Sequence, residues 1–482
     1  MRMSTTSALE GFEFPVADRE KWLSLVEGAK GGVKSADELV ALTDDGIAID
    51  PLMPRSADAA LLPRRQPDLP WVVVQRADDP DPARANAQAR ADLEQGATGL
   101  ALVFEGAPNA FGYGLPATPE GLETVLDGIQ LNRTHLRMDV NPASRAMADW
   151  LVALLTRRGA DPSKLSLSFG IDPAAIFAGT GRLAMSIEAL QASMPQSLAH
   201  FFAVGIPGVL LEADGRVYHN AGATEAQELG AIIASAVAHL RLFQDARQAL
   251  VHASPHIGFV LSVDQDQFLS MAKVRALRKL WARIQVACMM SPDAATIHAE
   301  TSYRMMTTGD PETNILRSTI AGFAAAVGGA DTISVLPHTI AHGLPDGFSR
   351  RITRNAQLLM AGESHLDFVA DPASGSGSVE ALTDSLCAAA WKEFQTIETE
   401  GGILKSLADG HIQRRVREAG EARAKLYRNG ERQIVGTTLY PPAAERPVKT
   451  LAAEQRPVPT EGAVFCDRLI PQRIDEALGD AA

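Results

Sequence analysis

The sequence predicts an α/β fold, an eight-stranded (β/α)8 barrel with an extended N-terminal arm and additional C-terminal helices. Three observations predict it. Eight short apolar runs recur between residues 71 and 362, each is followed by a helix-length stretch with apolar residues at 3.6-residue spacing, and turn residues mark the junctions. Strict alternation of strand and helix implies a parallel sheet, and eight such units close a TIM barrel. In that fold the chemistry sits at the C-terminal ends of the strands, so candidate residues are sought there.

The elements follow in order. Residues 1–70 form the arm. Residues 18–29 read as a short amphipathic helix carrying Trp22, Leu23 and Leu25, and 35–41 as another. The turn Asp44-Asp-Gly46 then leads into an extended 47–51, and residues 54–70, rich in Pro and Arg, read as an irregular linker. An arm with scattered apolar anchors and no core of its own either wraps a partner chain or packs along its own barrel.

Residues 71–362 form the barrel. Its strands are predicted at 71–74, 99–104, 135–139, 165–169, 208–212, 257–262, 296–300 and 332–336. Its helices are predicted at 81–96, 118–128, 144–159, 186–205, 224–245, 266–284, 310–329 and 349–362. Several helices open on Ser, Thr or Asp and end at Gly, the expected cap chemistry. Residues 363–440 are a helical extension with long helices at 375–400 and 404–427. Residues 441–482 read as a loosely ordered tail rich in Pro, Glu and Arg.

Bulk properties exclude some classes. A chain of 482 residues that is 46% hydrophobic suits one barrel with extensions. A net charge of −13 argues against general nucleic-acid binding but not against an anionic small molecule. Cys288, Cys387 and Cys466 are too scattered for a disulfide framework or a metal knuckle, which fits a reducing, cytoplasmic setting. The first fifteen residues lack an apolar core and carry Glu10 and Glu13, so they do not read as a secretory signal. No run of about 18 apolar residues predicts a membrane span.

The predicted strand ends offer Gln75, Glu105, Asp139, Asp172, Glu212, Asp264, Glu300 and His338. Any barrel carries polar residues at that rim, so position alone assigns none of them. Tyr218 and His219, after the fifth strand, could supply a hydrogen-bond donor and a proton carrier, or be an idle exposed loop pair. Tyr113, in the loop Phe111-Gly-Tyr-Gly114 after the second strand, is similar: those glycines suit close ligand approach or a plain turn. His338 and His342 are four apart, but Pro337 and Gly343 flank them and no HExxH pattern joins them, so no metal site is assigned. No GxSxG and no Walker loop occurs. Asp409-Gly-His411-Ile-Gln-Arg414 falls one residue short of DxHxxG, the signature of a cobalt-ligating histidine, and lies in a helical run.

Several stretches, in order over residues 40–440, resemble the methylmalonyl-CoA mutase family and in particular its small, β-type subunit. Thr43-Asp-Asp-Gly-Ile-Ala-Ile-Asp-Pro-Leu52 is similar to T-x-E-G-I-x-x-x-P-L, and Asn220-Ala-Gly-Ala-Thr224 to E-A-G-A-T. Met271-Ala-Lys-Val-Arg-Ala-Leu-Arg-Lys-Leu-Trp-Ala282 resembles A-K-x-R-A-x-R-x-L-W-A. Arg354-Asn-Ala-Gln-Leu358, Glu363-Ser and Asp371-Pro-Ala-Ser-Gly-Ser376 resemble R-N-T-Q-L, E-S and D-P-W-S-G-S.

The resemblance implies a barrel threaded by a pantetheine arm, in a complex that interconverts methylmalonyl-CoA and succinyl-CoA with adenosylcobalamin, a step of propionate metabolism. The family's flavodoxin-like cobalamin domain is not expected in this chain, so the cofactor is expected on a partner, the large catalytic subunit of a heterodimer. The barrel also departs from the active pattern. Y-H-M-Q-E-A-G-A-T has become Tyr218-His-Asn-Ala-Gly-Ala-Thr, and H-R-G-Y has become Ala110-Phe-Gly-Tyr113. An arginine after the fourth strand is replaced within Phe177-Ala-Gly-Thr180, and Q-T-S-G-W has become Glu300-Thr-Ser-Tyr-Arg304. S-L-D-E-A near the eighth strand is replaced by Leu336-Pro-His-Thr-Ile340. The expectation is therefore a small subunit inactive alone, with Tyr113, Tyr218 and His219 as the candidate site residues, no metal, and no cofactor-binding residue of its own. The rival expectations are an active acyl-CoA mutase barrel served by a separate cobalamin-binding chain, and an unrelated metal-free barrel lyase. Whether a CoA ester still enters the barrel stays open at this point.

Overall fold

The computed structural model describes residues 18–28, 35–62, 69–205, 207–444, 446–456 and 458–479. The signal-peptide reading of residues 1–15 and part of the 54–70 linker lie outside these residues. Eight parallel strands close a barrel: β1 (Val72–Ala77), β2 (Gly99–Leu102), β3 (His135–Met138), β4 (Leu167–Ile171), β5 (Val209–Asp214), β6 (Ile257–Val263), β7 (Thr296–Thr301) and β8 (Thr332–Ser334). They are hydrogen-bonded in chain order, and β8 returns to β1. Each is short and mostly apolar on its outer side, where Phe169 meets Phe201 and Phe259 meets Trp281 of the surrounding helices.

Around the barrel lie α1 (Pro82–Glu94), α2 (Pro119–Val125), α3 (Ser144–Arg157), α4 (Ile187–Val204), α5 (Glu225–Asp245), α6 (Gln267–Ala287), α7 (Thr313–Gly328) and α8 (Gly347–Gly362). Their starts follow local chemistry. Asp81, Thr118, Ser186, Asp266 and Asp346 each accept backbone N–H groups of the first turn, and Thr224 forms a capping box with Gln227. The outer faces of the strands and the inner faces of the helices merge into one continuous apolar core.

Three further helices, α9 (Gly377–Thr399), α10 (Ile403–Ala408) and α11 (His411–Arg428), extend the barrel. α9 packs across α5 and α6. That second layer explains why α6 buries Arg275, which reaches Asp371 and Glu380 on the α9 side; on its other sides Arg278 caps the carbonyls of Ala295 and Gly329, and Trp281 packs against Phe259 of β6.

Two expectations need correction. β1 and β4 run to Ala77 and Ile171, past their predicted ends, because charged or glycine residues there face the lumen instead of ending the strand. At Gly170 (φ +57) a side chain would meet the Met138 carbonyl at 2.1 Å, and the β4–β5 register shifts beside it. The tail is not loose. Thr450–Leu451 pairs with Leu344–Pro345, and Val464–Phe465 with Arg182–Leu183. Backbone N–H groups of Leu469, Gln472 and Ile474 then bond the carbonyls of Ala178, Asn220 and Arg304 (2.8, 2.8 and 3.0 Å). Proline-rich chain lacks donors for a core strand, yet it can lace along a rim through isolated bonds.

In the arm, the helix Arg19–Gly28 buries no residue. Residues 40–62 lie on the chain's own helices: Asp44 pairs with Arg423 and Arg432, and Asp45 accepts from the Ala226 N–H at the start of α5. Among the described residues, no helix is long and apolar enough to cross a membrane.

Candidate functional site

The barrel lumen is where this fold places its site, and here it is filled with charge. Interior positions of such barrels ordinarily hold branched aliphatic residues. In this chain Arg76 of β1, Arg137 of β3, Glu212 and Asp214 of β5 and Glu300 of β7 are all buried, together with Asp139 just after β3 and Arg216 just after β5. Arg76 binds Glu300 at 2.9 Å, and Arg216 binds the other oxygen of Glu300 at 2.9 Å. Arg216 also grips Asp139 and, at 2.6 Å, Asp214. Arg137 closes the chain by bonding Glu212 and, at 3.3 Å, Asp139. β1 and β7 are separated by β8, and β3 and β5 by β4. Bonds between strands that are not neighbours must run through the lumen, so the network crosses the space where a substrate would lie. Arg350 of α8 extends it outward through Asp78 at 2.6 Å.

Burial alone would raise each carboxylate and lower each guanidinium. Against that burial, Arg216, Arg137 and Arg76 hold Asp139 well below the usual carboxylate range. At Glu212 burial wins over Arg137, and the group stays above its ordinary value. Burial and then the surrounding cations keep His298, also in the lumen, neutral; its Nδ1 lies 2.7 Å from Thr332 Oγ1.

The C-terminal mouth is closed as well. Phe111 holds the left-handed conformation (φ +50) and stacks on Tyr303 with ring centroids 4.1 Å apart. The Arg76 guanidinium lies 5.4 Å from the Phe111 centroid, and Arg473 of the tail donates to Tyr303 Oη at 3.1 Å. A non-glycine residue at positive φ costs energy that its surroundings must offset, and here the stack does so. Beside the tail lie a hollow of about 20 Å³ between Gly222, Arg304, Arg423 and Arg473, space for about a water molecule, and a cavity of about 300 Å³ lined by Arg76, Asp78, Arg84, Arg350 and Leu451. At the opposite mouth, a cavity of about 190 Å³ is lined by Trp71, Val72, His135, Leu167, Val209 and Thr332.

Behind β5 and β7 sits a second buried cluster. Tyr218 and His219 belong to a short helix, Arg216–Asn220, and both are enclosed, which corrects the exposed-loop alternative. His219 Nδ1 lies 3.0 Å from Glu228 and its Nε2 2.9 Å from Ser302 Oγ, so both ring nitrogens are engaged. His219, Glu225 and Glu228 have the donor types and spacing of a metal site. Lys273, however, bonds both carboxylates, at 2.7 Å for Glu228, and takes the place a cation would fill. Arg304 adds bonds to Glu225 and Asp264 at 3.1 and 3.2 Å. The Tyr218 hydroxyl is buried without a partner, and burial, with Asp172 and Asp214 nearby, keeps it a neutral phenol.

The other predicted residues scatter. Tyr113 follows β2, three strands round the barrel from Tyr218, with its hydroxyl beside Gly343. Glu105 pairs with Arg456 of the tail at 2.8 Å. Asp172 caps the helix Pro173–Thr180, accepting from Ala174 at 3.0 Å, and burial raises it to about 7. His338 and His342 lie in turns rather than on a helix. Gly410 (φ +76) separates α10 from α11, so His411 opens a helix instead of a strand-end loop. The residues that sequence reasoning missed are the cations Arg76, Arg137, Arg216, Lys273 and Arg304. Their signal was faint: a charge inside or just past a predicted strand, or on a helix face, with a partner up to 224 positions away.

These features define a (β/α)8 barrel of catalytic type whose own lumen is occupied by its side chains. The family model for methylmalonyl-CoA mutase matches residues 64–463. The chain is 37% identical to the methylmalonyl-CoA mutase small subunit of Streptomyces virginiae over 92% of this chain and 74% of that protein. It is 33% identical to the small subunit of Propionibacterium freudenreichii subsp. shermanii over 92% of this chain and 72% of that protein. The large subunit of Streptomyces virginiae is 26% identical over 97% of this chain and 68% of that protein. The chain belongs to the methylmalonyl-CoA mutase family, and to its small-subunit type.

Proposed function

We propose that this chain is the non-catalytic small subunit of a heterodimeric, adenosylcobalamin-dependent methylmalonyl-CoA mutase, whose large subunit carries out the isomerisation. The observation that supports this most is the charged network spanning the lumen from Arg76 through Glu300, Arg216, Asp139 and Arg137 to Glu212. A thioester entering from either mouth would have to break buried ion pairs, each costing several kcal/mol once a partner is removed. Mutase chemistry needs a dry pocket with a donor aimed at the migrating group. Here His219 is committed at both nitrogens, and Tyr218 is fully buried.

The residues present do not fit cobalamin either. The tail and the Phe111–Tyr303 stack cover the face of the barrel that would meet a corrin ring, and His411 heads a helix beside Glu400. The cofactor is therefore assigned to the large subunit, and this chain's work is to stabilise that partner, in the cytoplasm. Co-purification from the source organism in mild salt, with intact mass and a mutase assay, tests the reading. The expected result is a one-to-one complex with a larger, cobalamin-bearing chain, active only as the pair. A chain that turns over when given only a small cobalamin-binding protein would return catalysis to this barrel.

A further inference from the structure

A further cavity lies outside the barrel lumen, in the helical layer. It measures about 320 Å³ and opens between α4, α5 and the start of α10, beside the short helix Pro173–Thr180. Small-molecule sites usually span about 300–1,000 Å³. Most of its wall is apolar: Ile187 and Leu190 come from α4, Leu242 from α5, and Ile403 and Leu404 from α10. Ser235 and His239 of α5 complete the lining, and they are only 1% and 2% exposed. Four residues apart, they share one face of the helix.

Both carry an unmet hydrogen-bonding atom. Among the described residues, Ser235 Oγ and His239 Nδ1 have no partner. His239 Nε2 lies 2.7 Å from the Glu212 carbonyl of β5, which can only accept, so Nε2 carries the proton and Nδ1 presents a lone pair. Burial pushes this imidazole down to about 4, so it stays neutral at physiological pH. A buried polar atom without a partner is costly to keep. An acceptor beside a hydroxyl that can donate is the complement of a carboxamide, which offers an N–H and a C=O side by side. The charges around the cavity favour no ion. Glu188 and Asp245 balance Arg241 and Lys405, and both cations are already paired, with Glu398 and Asp409.

We propose that this cavity binds a small neutral carboxamide with an apolar body, its N–H donating to His239 Nδ1 and its C=O accepting from Ser235 Oγ. Neither atom is open to water as the cavity stands. The ligand engages them as the Ser235 hydroxyl rotates about χ1 and the imidazole pivots on its Nε2 bond. The site lies apart from the lumen network, and its occupation does not depend on the subunit reading above.

The test uses the full chain and benzamide as the probe, with toluene, benzyl alcohol and benzoate as comparators of similar size. The expected result is saturable benzamide binding in the millimolar range or below, at least about 5-fold tighter than that of toluene or benzyl alcohol. Benzoate should not bind saturably. The nitrogen NMR signal of His239 Nδ1, assigned by its loss in His239→Gln, should move upfield as benzamide is added. Ser235→Ala should weaken benzamide at least about 5-fold. Its unfolding midpoint should equal or exceed that of wild type, because the hydroxyl it removes has no partner. Ala238→Phe, which fills the cavity, should abolish binding; if that variant does not fold, the wild-type signal and Ser235→Ala still decide. Toluene binding as tightly as benzamide would make the cavity a plain apolar hollow, and benzyl alcohol binding as tightly would remove the carboxamide assignment. No saturable benzamide binding, or binding that leaves His239 Nδ1 unmoved, would overturn the site.

Discussion

Replacing Arg216 by Met is expected to destabilise the chain by about 3–5 kcal/mol. Arg216 is the hub of the lumen network: it alone contacts Asp139, Asp214 and Glu300 together. Met fills much of the same volume, so the loss is electrostatic rather than a cavity. Asp214 then loses its guanidinium, while Asp139 and Glu300 keep only Arg137 and Arg76. Three buried carboxylates are then left with one cation fewer. Urea unfolding at pH 7 reads the effect. Adding Asp214→Asn to the same chain should restore part of the stability, because a buried neutral amide is cheaper than the unpaired charge. A loss under about 1 kcal/mol in the single variant would mean that the network behaves like solvated surface ion pairs rather than buried ones.

Lys273→Met is expected to produce a loss of similar size, about 3–5 kcal/mol at pH 7, with a distinctive pH dependence. Despite burial, which would raise it, Glu225 is held well below its usual value, chiefly by Lys273, then by His219 and Arg304. A carboxylate depressed in the folded state contributes stability that is present above its unfolded value, near 4.5, and lost as the pH falls through the folded one. Removing the lysine removes that contribution. The gap between wild type and variant should therefore be widest near neutral pH and narrow as the pH falls below 4.5. Denaturant midpoints collected from pH 7 down to about pH 2.5 check this. A gap that stays constant would assign the loss to packing of the lysine stem instead.

Much of the fold was legible in the sequence, and particular residues show why the rest was not. All eight strands and their helices lie near the predicted positions because apolar periodicity reports the outer, core-facing side of each unit. The inner side of the barrel is invisible to that signal. Gln75 reads as the end of the first strand, yet the strand continues through Arg76, which finds Glu300 on β7 across the lumen. Asp139, Glu212 and Glu300 were recognisable from their place at strand ends, but not as parts of one network, because each partner is remote in the chain. Tyr218 and His219 were singled out, and only the structure buries them beneath the tail. α8 misleads in the opposite sense: its periodicity is helical, but no pattern rule says that the arginine face is the inner one.

The central claim is that this barrel no longer receives substrate, and counting ester sites tests it most directly. Equilibrium dialysis of a non-reactive methylmalonyl-CoA analogue against the purified heterodimer, and against this chain alone, gives the number. The account predicts one site per heterodimer and no saturable binding to the isolated chain. Two sites per heterodimer, or saturable binding to this chain with competition by CoA, would contradict it.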